Sequence, residues 1–495
     1  MRVSIDWLKG ILDYKSSPLE LENGLTSLGL ECVYKEEGPS FSGIIVGKVI
    51  SVKKIENSDY LNLCIVNLGN KNKEIVCGAK NIKSGILVPV AVLGATLDDG
   101  NFKIKKVKIR GVTSNGMICS EKELGISNNH DGIMVLDSND YELGEEFGSS
   151  IKKNKFLDID LTPNRGDCFS HLGVAREISI LENIKLKEEK VTSKFLDEKT
   201  NIKVSIEDEK ACSRYACRVV KNVKVSESPP WLKDKLQAIG QKSINNIVDA
   251  ANYTLFHLGH PMHTFDLDKI SNSKITIKKT TKEQSVKCLD GVDRDIKKEH
   301  LLICDEKKPI AIAGIMGLEN SSVTAETENI LIESAYFDPV TIRRGAKILD
   351  LSTDASKRFE RDTDIDAIIY SLNFLSKLIQ EVSGGEVCNE LIDEYPNEKL
   401  KSIVQFDLDE CNSLLGTSIE EVDAINILEK LSIDIENTNN QILCTIPSYR
   451  NDLEREIDLY EEVARIFGYD NIPSKFDFTF SSKNLVLDEN LIEDK

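Results

Sequence analysis

The sequence predicts a multidomain α+β protein with a small β-barrel inserted near its N-terminus, a mixed α/β middle and a winged-helix-like C-terminal module. Three observations carry this expectation. At 495 residues the chain is long enough for roughly three to five domains of ordinary size. From about Phe41 to Phe147 it becomes a succession of short Val- and Ile-rich runs separated by Gly, Asn and Asp turns. Beyond Asn201 strands and helices mix, and from Leu400 two helical patterns, a β ribbon and a third helix follow in order.

Taken in order, residues 1–38 begin as a strand and continue into a helix near Pro18 to Leu28 that Gly29 stops. The runs IIVGKVISV, LNLCIVNL, EIVCGA, LVPVAVLGA, FKIKKVKIRGV and GIMVL then give the barrel strands. A Pro-Asn-Arg-Gly turn precedes a helix from about Ser170 to Leu181. In the middle region one helix starts at Ser228-Pro229-Pro230 and ends at Gly240, the expected punctuation. A longer one follows Asp364, with Ile368, Leu372, Leu375, Ile379 and Val382 on one face and Gly384-Gly385 as its stop. The last unit carries helices at Leu408–Leu415, Ile419–Leu431 and Ile457–Phe467 around the ribbon SIDIENTNNQILCTIP. Domain boundaries are therefore expected at 1–38 with 149–200, at 39–148, at 201–390 and at 398–474, with 475–495 a truncated linker.

Composition narrows the functional classes. With 63 Lys+Arg against 82 Asp+Glu, the net charge of −19 argues against a general nucleic-acid coat but leaves room for a local basic patch. The longest apolar stretch, Gly85 to Ala95, is broken by Pro89 and is too short to span a membrane. Asp6 and Lys9 stand where a signal peptide needs its apolar segment. The 12 cysteines are scattered singly, and the nearest pair, Cys212 and Cys217, has neither redox nor zinc spacing. They read as buried thiols of a protein in the reducing cytoplasm.

Three constellations offer chemistry. Lys103, Lys105, Lys106, Lys108 and Arg110 alternate with apolar residues in FKIKKVKIR. On one strand, Phe102 and Ile104 would share a face opposite Lys103 and Lys105, with a bulge at Lys105-Lys106. That pattern suits either a phosphate-binding groove or an edge strand protected by lysines. Asp452, Asp458, Glu461 and Glu462 place oxygen ligands near one side of a helix, a set suited to Mg²⁺, although Arg455 and Arg465 stand ready to pair with them. In FHLGHPMHTFD, His257, His260 and His263 cannot share one helix face across Gly259 and Pro261, so zinc is not expected and His263 is better used alone beside a cleft. Glu333 stands at the end of the apolar strand ILIESAYF, where a carboxylate is either structurally paired or reads a polar group of a substrate.

In order, the segments IVCGAKNIKSGILVPVAVLGATL, RGVTSNGMICSEKELGIS, NHDGIMVL, DIDLTPNRGDCFSHLGVAREI, SINNIVDAANYTLFHLGHPMHTFD, STDASKRFERDTD and PSYRNDLEREIDLYEEVARIFGYDNIP make the chain resemble the β subunits of bacterial phenylalanyl-tRNA synthetase, from Met1 to about Pro473. The resemblance implies an OB-fold for 39–148 that binds tRNA through Lys103, Lys105, Lys106, Lys108 and Arg110. It implies an editing domain at 201–390 that hydrolyses tyrosine wrongly esterified to tRNA(Phe). Its pocket would include His263, Gly317, Glu333, Thr353 and Ala355, with Asn252 and Lys242 at the edge. The last unit would carry Mg²⁺ on Asp452, Asp458, Glu461 and Glu462. The partner implied is an α subunit, in an α2β2 heterotetramer, that binds ATP and phenylalanine and performs the ligation. The sequence departs from the family pattern at Lys242, where Arg is usual and a planar two-point contact is lost. Leu318 replaces the second residue of a usual Gly pair. The family's C-terminal catalytic-like and anticodon-binding domains do not fit in Ser474 to Lys495. Two alternatives stay open: a free-standing deacylase acting on the charged tRNA, and a tRNA-binding module without chemistry.

Overall fold

In the computed structural model, Tyr34–Phe156 closes its contacts on itself, while Met1–Val33 and the chain from Leu157 onward form a second unit. Residues 1–473 are described, apart from 57, 98–100, 127–130, 149–152 and 439–440. The expected linker 475–495 lies outside them.

The inserted unit is built on alternation. Its strands Ser42–Lys54, Asn62–Asn67, Asn72–Cys77 and Leu87–Leu97 bury Val46, Val49, Val66, Ile75, Val88 and Val90 in two adjoining cores. With Gly116–Ile118 they form one sheet, ordered Gly116–Ile118, Leu87–Leu97, Ser42–Lys54, Asn62–Asn67, Asn72–Cys77. The end strands approach each other: Asn115 N donates to Glu74 O at 2.9 Å, and Ser114 Oγ accepts from Val76 N at 3.0 Å. The expected barrel is thus met in part. Its strands are one sheet, but among the described residues a few bonds and no ladder join the ends, so the barrel is not closed.

The second unit places the middle of the chain around two sheets. One is ordered Phe195–Leu196, Glu386–Cys388, Cys212–Lys221, Ile330–Phe337, Met262–Asp266. The strand Ile330–Phe337 is buried along its whole length because both of its faces are covered. Ile330, Ile332 and Tyr336 pack with Ile247, Leu372, Leu375 and Ile379 of the helices Asn246–Leu258 and Ala367–Ser383. Leu331, Ala335 and Phe337 face the other way, against Ile277, Leu302, Ile303 and Ile312 of the second sheet. A strand buried on both faces should be continuously apolar, which makes Glu333 and Ser334 the exceptions to explain.

The C-terminal segment forms its own small core. Val404 and Phe406 of a strand at Ile403–Phe406, Leu428, Leu459 and Val463 close it, and the strand adds to the hairpin Asp434–Thr438/Gln441–Thr445. The helices run Leu408–Leu415, Glu421–Lys430 and Glu456–Phe467, close to the expected ranges. All 12 cysteines are free and buried. Among the described residues no helix is long and apolar enough to cross a membrane.

Candidate functional site

The strands Met262–Asp266 and Ile330–Phe337 pair antiparallel with His263 directly opposite Glu333. Directly opposed residues project to the same face, so the two side chains stand side by side and look into the space between the two sheets. Cys217 flanks Glu333 on its other side, and Tyr215, diagonal to it, donates its hydroxyl to Glu333 Oε2 at 3.2 Å. Glu333 therefore stands in the interior of its strand, not at the expected end.

A cavity of about 280 Å³ opens beside His263. His263, Asn252, Gly317, Thr353 and Ala355 all line it, together with apolar Leu255, Leu289, Met316 and Val323. Glu333 is not in its lining but lies beneath, next to His263. Lys242 is exposed and outside the lining, although neighbouring Gln241 reaches Asp354 at 3.4 Å.

Each lining residue has a local reason for its place. Asn252 rides on the helix Asn246–Leu258, which Asn245 caps through Ile247 N and Val248 N and Gly259 ends at φ 81°. Thr353 caps the helix Asp354–Phe359, accepting from Ser356 N at 3.0 Å while its hydroxyl donates to Ile315 O at 2.9 Å. Ala355 therefore sits in a first helical turn pinned to Ile315, just ahead of the short strand Met316–Gly317. At Gly317 a Cβ would lie 2.6 Å from His263 Cε1 and 2.8 Å from Nε2, so glycine is what lets this strand approach the imidazole.

Burial sets the protonation of the pair. It pushes the Glu333 carboxyl up to about 8, with only the Tyr215 hydroxyl opposing, and pushes His263 down to about 4. At neutral pH the site holds a mostly protonated carboxyl beside a neutral imidazole. Such a pair can exchange hydrogen bonds with a substrate hydroxyl and can accept a proton from water, whereas a charged pair would demand solvent. Tyr215 was not anticipated; its only signal was a tyrosine within the strand-like SRYACRVV. The other two histidines point elsewhere. His257 accepts from Trp7 Nε1 at 3.0 Å, and His260 is buried in a different cavity.

The acidic set does not gather into one ligand cage. Asp452 is held two-fold by Arg450 (2.8 and 2.9 Å), which also binds Glu462 at 2.9 Å. Arg465 binds Glu462 at 2.6 Å, Arg455 binds Asp458 at 2.9 Å, and Glu461 is exposed. Asp458 also accepts from Glu454 N and Arg455 N at the start of the helix Glu456–Phe467. Three of the four carboxylates spend their oxygens on guanidinium or backbone N–H groups, so the set as arranged does not fit Mg²⁺. Among the described residues the metal-capable cluster is Asp167, Cys168 and Glu177, and Arg165 already occupies it at 2.9 and 2.6 Å.

In the inserted unit, the basic segment is not one continuous strand. Phe102–Lys103 pairs with Leu87–Leu97, Lys105-Lys106 leave the sheet, and Val107–Ile109 forms a hairpin with Val112–Ser114. The hairpin turns through Arg110 and Gly111 at φ 47° and 85°. The expected alternation fails at Phe102, which is 53% exposed while Ile104 is buried. Lys103, Lys105, Lys106, Lys108 and Arg110 are all exposed, and among the described residues none makes an ion pair. Exposed Phe102 and Val107 interleave them.

Comparison with known proteins agrees with this layout. Residues 44–146 match a putative tRNA binding domain, residues 211–384 a B3/4 domain, and residues 404–469 a tRNA synthetase B5 domain. The chain is 44% identical over 479 residues to the phenylalanine–tRNA ligase β subunit of Protochlamydia amoebophila, covering 96% of this chain and 60% of that one. It is 43% identical over 481 residues to the corresponding subunit of Syntrophotalea carbinolica, with the same coverage. The chain thus spans about 60% of the length of the curated relatives it matches. An N-terminal fragment of the phenylalanyl-tRNA synthetase β subunit from Pyrococcus horikoshii aligns at 18% identity over 63% of this chain and 87% of that one, with a TM-score of 0.34.

Proposed function

We propose that the chain, which is similar along nearly its whole length to phenylalanine–tRNA ligase β subunits, serves as such a subunit: it binds tRNA(Phe), removes tyrosine wrongly attached to it, and supports an α subunit that performs the ATP-dependent ligation of phenylalanine. In this reading the inserted unit is an OB-fold that meets the tRNA backbone through Lys103, Lys105, Lys106, Lys108 and Arg110. The partner is an α subunit in an α2β2 assembly, with ATP and phenylalanine bound on α.

The observation that carries the editing role is the pairing of half-buried His263 with buried Glu333 beside a cavity whose apolar walls suit an aromatic ring. Tyrosine exceeds phenylalanine by one hydroxyl. An apolar pocket rejects that addition weakly, but a site that hydrogen-bonds the hydroxyl disfavours the analogue lacking it by about 10⁴–10⁵-fold, because a buried polar group is then left unpaired. Glu333 accepts the phenol proton in a hydrogen bond, while neutral His263 places the ester and the attacking water. Gly317 and the helix turn at Thr353–Ala355 confine the ester end, and Asn252 lies at the edge. Hydrolysis of Tyr-tRNA(Phe) and Phe-tRNA(Phe) by wild type and Glu333→Ala tests the role. The variant should lose most of the tyrosine preference; unchanged selectivity removes Glu333 from the mechanism.

A further inference from the structure

A second cavity, of about 350 Å³, lies in the same unit, and its wall is polar where the first is apolar. Its lining includes His260, Arg358, Asp362, Thr363, Ser371 and Arg176. Among the described residues ten buried side-chain N or O atoms lack a hydrogen-bond partner, and six of them belong to this wall: both ring nitrogens of His260, Arg358 Nη2, Asp362 Oδ1, Thr363 Oγ1 and Ser371 Oγ. Native structures leave few such atoms, so their collection around one space points to something that satisfies them.

The groups are held in place rather than loose. The Arg358 guanidinium donates from Nε to Phe169 O (3.1 Å) and from Nη1 to Asp354 O (2.7 Å), and lies over the Phe169 and Phe256 rings at 4.4 and 4.8 Å. Nε and Nη1 are thereby occupied and Nη2 stays open, a single charge-assisted donor for a carboxylate oxygen. Asp362 adopts a left-handed backbone at φ 67°, which a non-glycine residue reaches only at a cost, and the Tyr336 hydroxyl engages its carboxyl while Oδ1 stays without a partner. The wall thus offers the open Arg358 donor, the open Asp362 acceptor and two hydroxyls within one small space, which Asp167, Asp364, Asp366 and Arg176 also line.

We propose that this cavity is a binding site for a free α-amino acid, whose carboxylate is taken by Arg358 and whose ammonium group is taken by Asp362, with Ser371, Thr363 and His260 completing the hydrogen bonds. Asp354 Oδ1 lies 3.8 Å from Arg358 Nη1, but a single anion would still leave the open Asp362 Oδ1 without a donor and a single cation would leave the open Arg358 Nη2 without an acceptor; a zwitterion answers both. The site is separate from the cavity beside His263, since the two share no lining residue.

The test is a thermal-shift screen of the purified chain with the protein amino acids added singly, followed by calorimetric titration of those that raise the midpoint. At least one should bind at one site per chain. Its N-acetyl and methyl-ester derivatives, each lacking one charge, should bind at least about tenfold more weakly, the loss expected for one charge-assisted hydrogen bond. Asp362→Asn and Ser371→Ala should weaken binding to a similar degree, and Ser371→Ala, which removes one hydroxyl, carries the test should Asp362→Asn fail to fold. Glu333→Ala should leave this binding intact. Absence of binding by every amino acid, binding that survives both Asp362→Asn and Ser371→Ala, loss in Glu333→Ala, or a crystal structure showing only ordered water in the cavity would each overturn the proposal.

Discussion

A carboxyl set among Leu331, Ala335, Phe265 and Cys217 keeps its proton because the charged form has no solvent there. Its folded value of about 8 stands above the unfolded one, so the unfolded chain loses a proton that the folded chain retains. Glu333 therefore weakens folding progressively as pH rises from about 4.5 toward 8. Glu333→Gln should raise the thermal midpoint at pH 8 and change it little near pH 4.5; a difference independent of pH would contradict the buried neutral acid. On the proposed editing role, the same titration would shape selectivity. A phenol donating to Glu333 favours the ionised form, so preference for Tyr over Phe esters should grow as pH rises through about 8 and level off only above it. Gly317→Ala should cut hydrolysis sharply, because the new methyl meets the His263 ring at 2.6 Å, and a circular-dichroism melt should show the fold retained. Of this site the sequence displayed one acid within ILIESAYF and one histidine after a helix stop. The register that brings residues 263 and 333 together lies in sheet pairing across 70 positions, which no local pattern encodes.

At the scale of elements, the basic segment presents its cations on a short strand, a break and a tight hairpin. Periodicity failed there because strand alternation assumes one uninterrupted pairing partner, and Lys105-Lys106 change partners between Leu87–Leu97 and Val112–Ser114. Helices with a stripe of large apolar residues were legible, as at Ala367–Ser383; Pro339–Ile348, whose buried face is only Ile342, Gly345 and Ala346, was not. Replacing Lys105, Lys106 and Lys108 together by Ala should leave the inserted unit folded, since all three are exposed. It should flatten the log–log salt dependence of tRNA binding by about 2, at roughly 0.7 per phosphate contact on single-stranded regions. An unchanged slope would return the segment to the role of a protected edge. In the C-terminal helix Glu456–Phe467 the carboxylates are answered by Arg450, Arg455 and Arg465. The thermal midpoint should therefore be the same in Mg²⁺ and in EDTA, and a loss on chelation would contradict the ion-pair arrangement.

Across the second unit a buried chain of charges ties distant segments together. Arg165 binds Asp167 and Glu177, Arg465 joins Glu177 at 2.6 Å to Glu462, and Arg450 joins Glu462 to Asp452. Arg465 also donates to Leu28 O at 3.1 Å, so the C-terminal helix is pinned to the N-terminal segment. Arg450 and Arg465 overcome the cost of burial and hold Glu462 down to about 2, a folded value below the unfolded one. Its contribution is present above about pH 4.5 and is lost as pH falls toward 2. Acid unfolding should therefore begin below about pH 4.5, and Glu462→Gln should blunt that dependence while lowering stability at pH 7. Removing one partner strands buried arginines, which costs about 3–5 kcal/mol. The Arg465–Glu462 pair, three positions apart on one helix, was legible from spacing, whereas the link from Arg465 to Glu177, 288 positions away, was not. The broad order of a β-rich insert, a mixed middle and a helical end with a ribbon was legible because each region keeps its own periodicity. The most direct test is single-turnover hydrolysis of tyrosyl- and phenylalanyl-charged tRNA(Phe) by this chain, alone and with an α subunit added. The account predicts release of tyrosine well ahead of phenylalanine, abolished by Glu333→Ala; equal rates for both esters, or no hydrolysis in either setting, would contradict it.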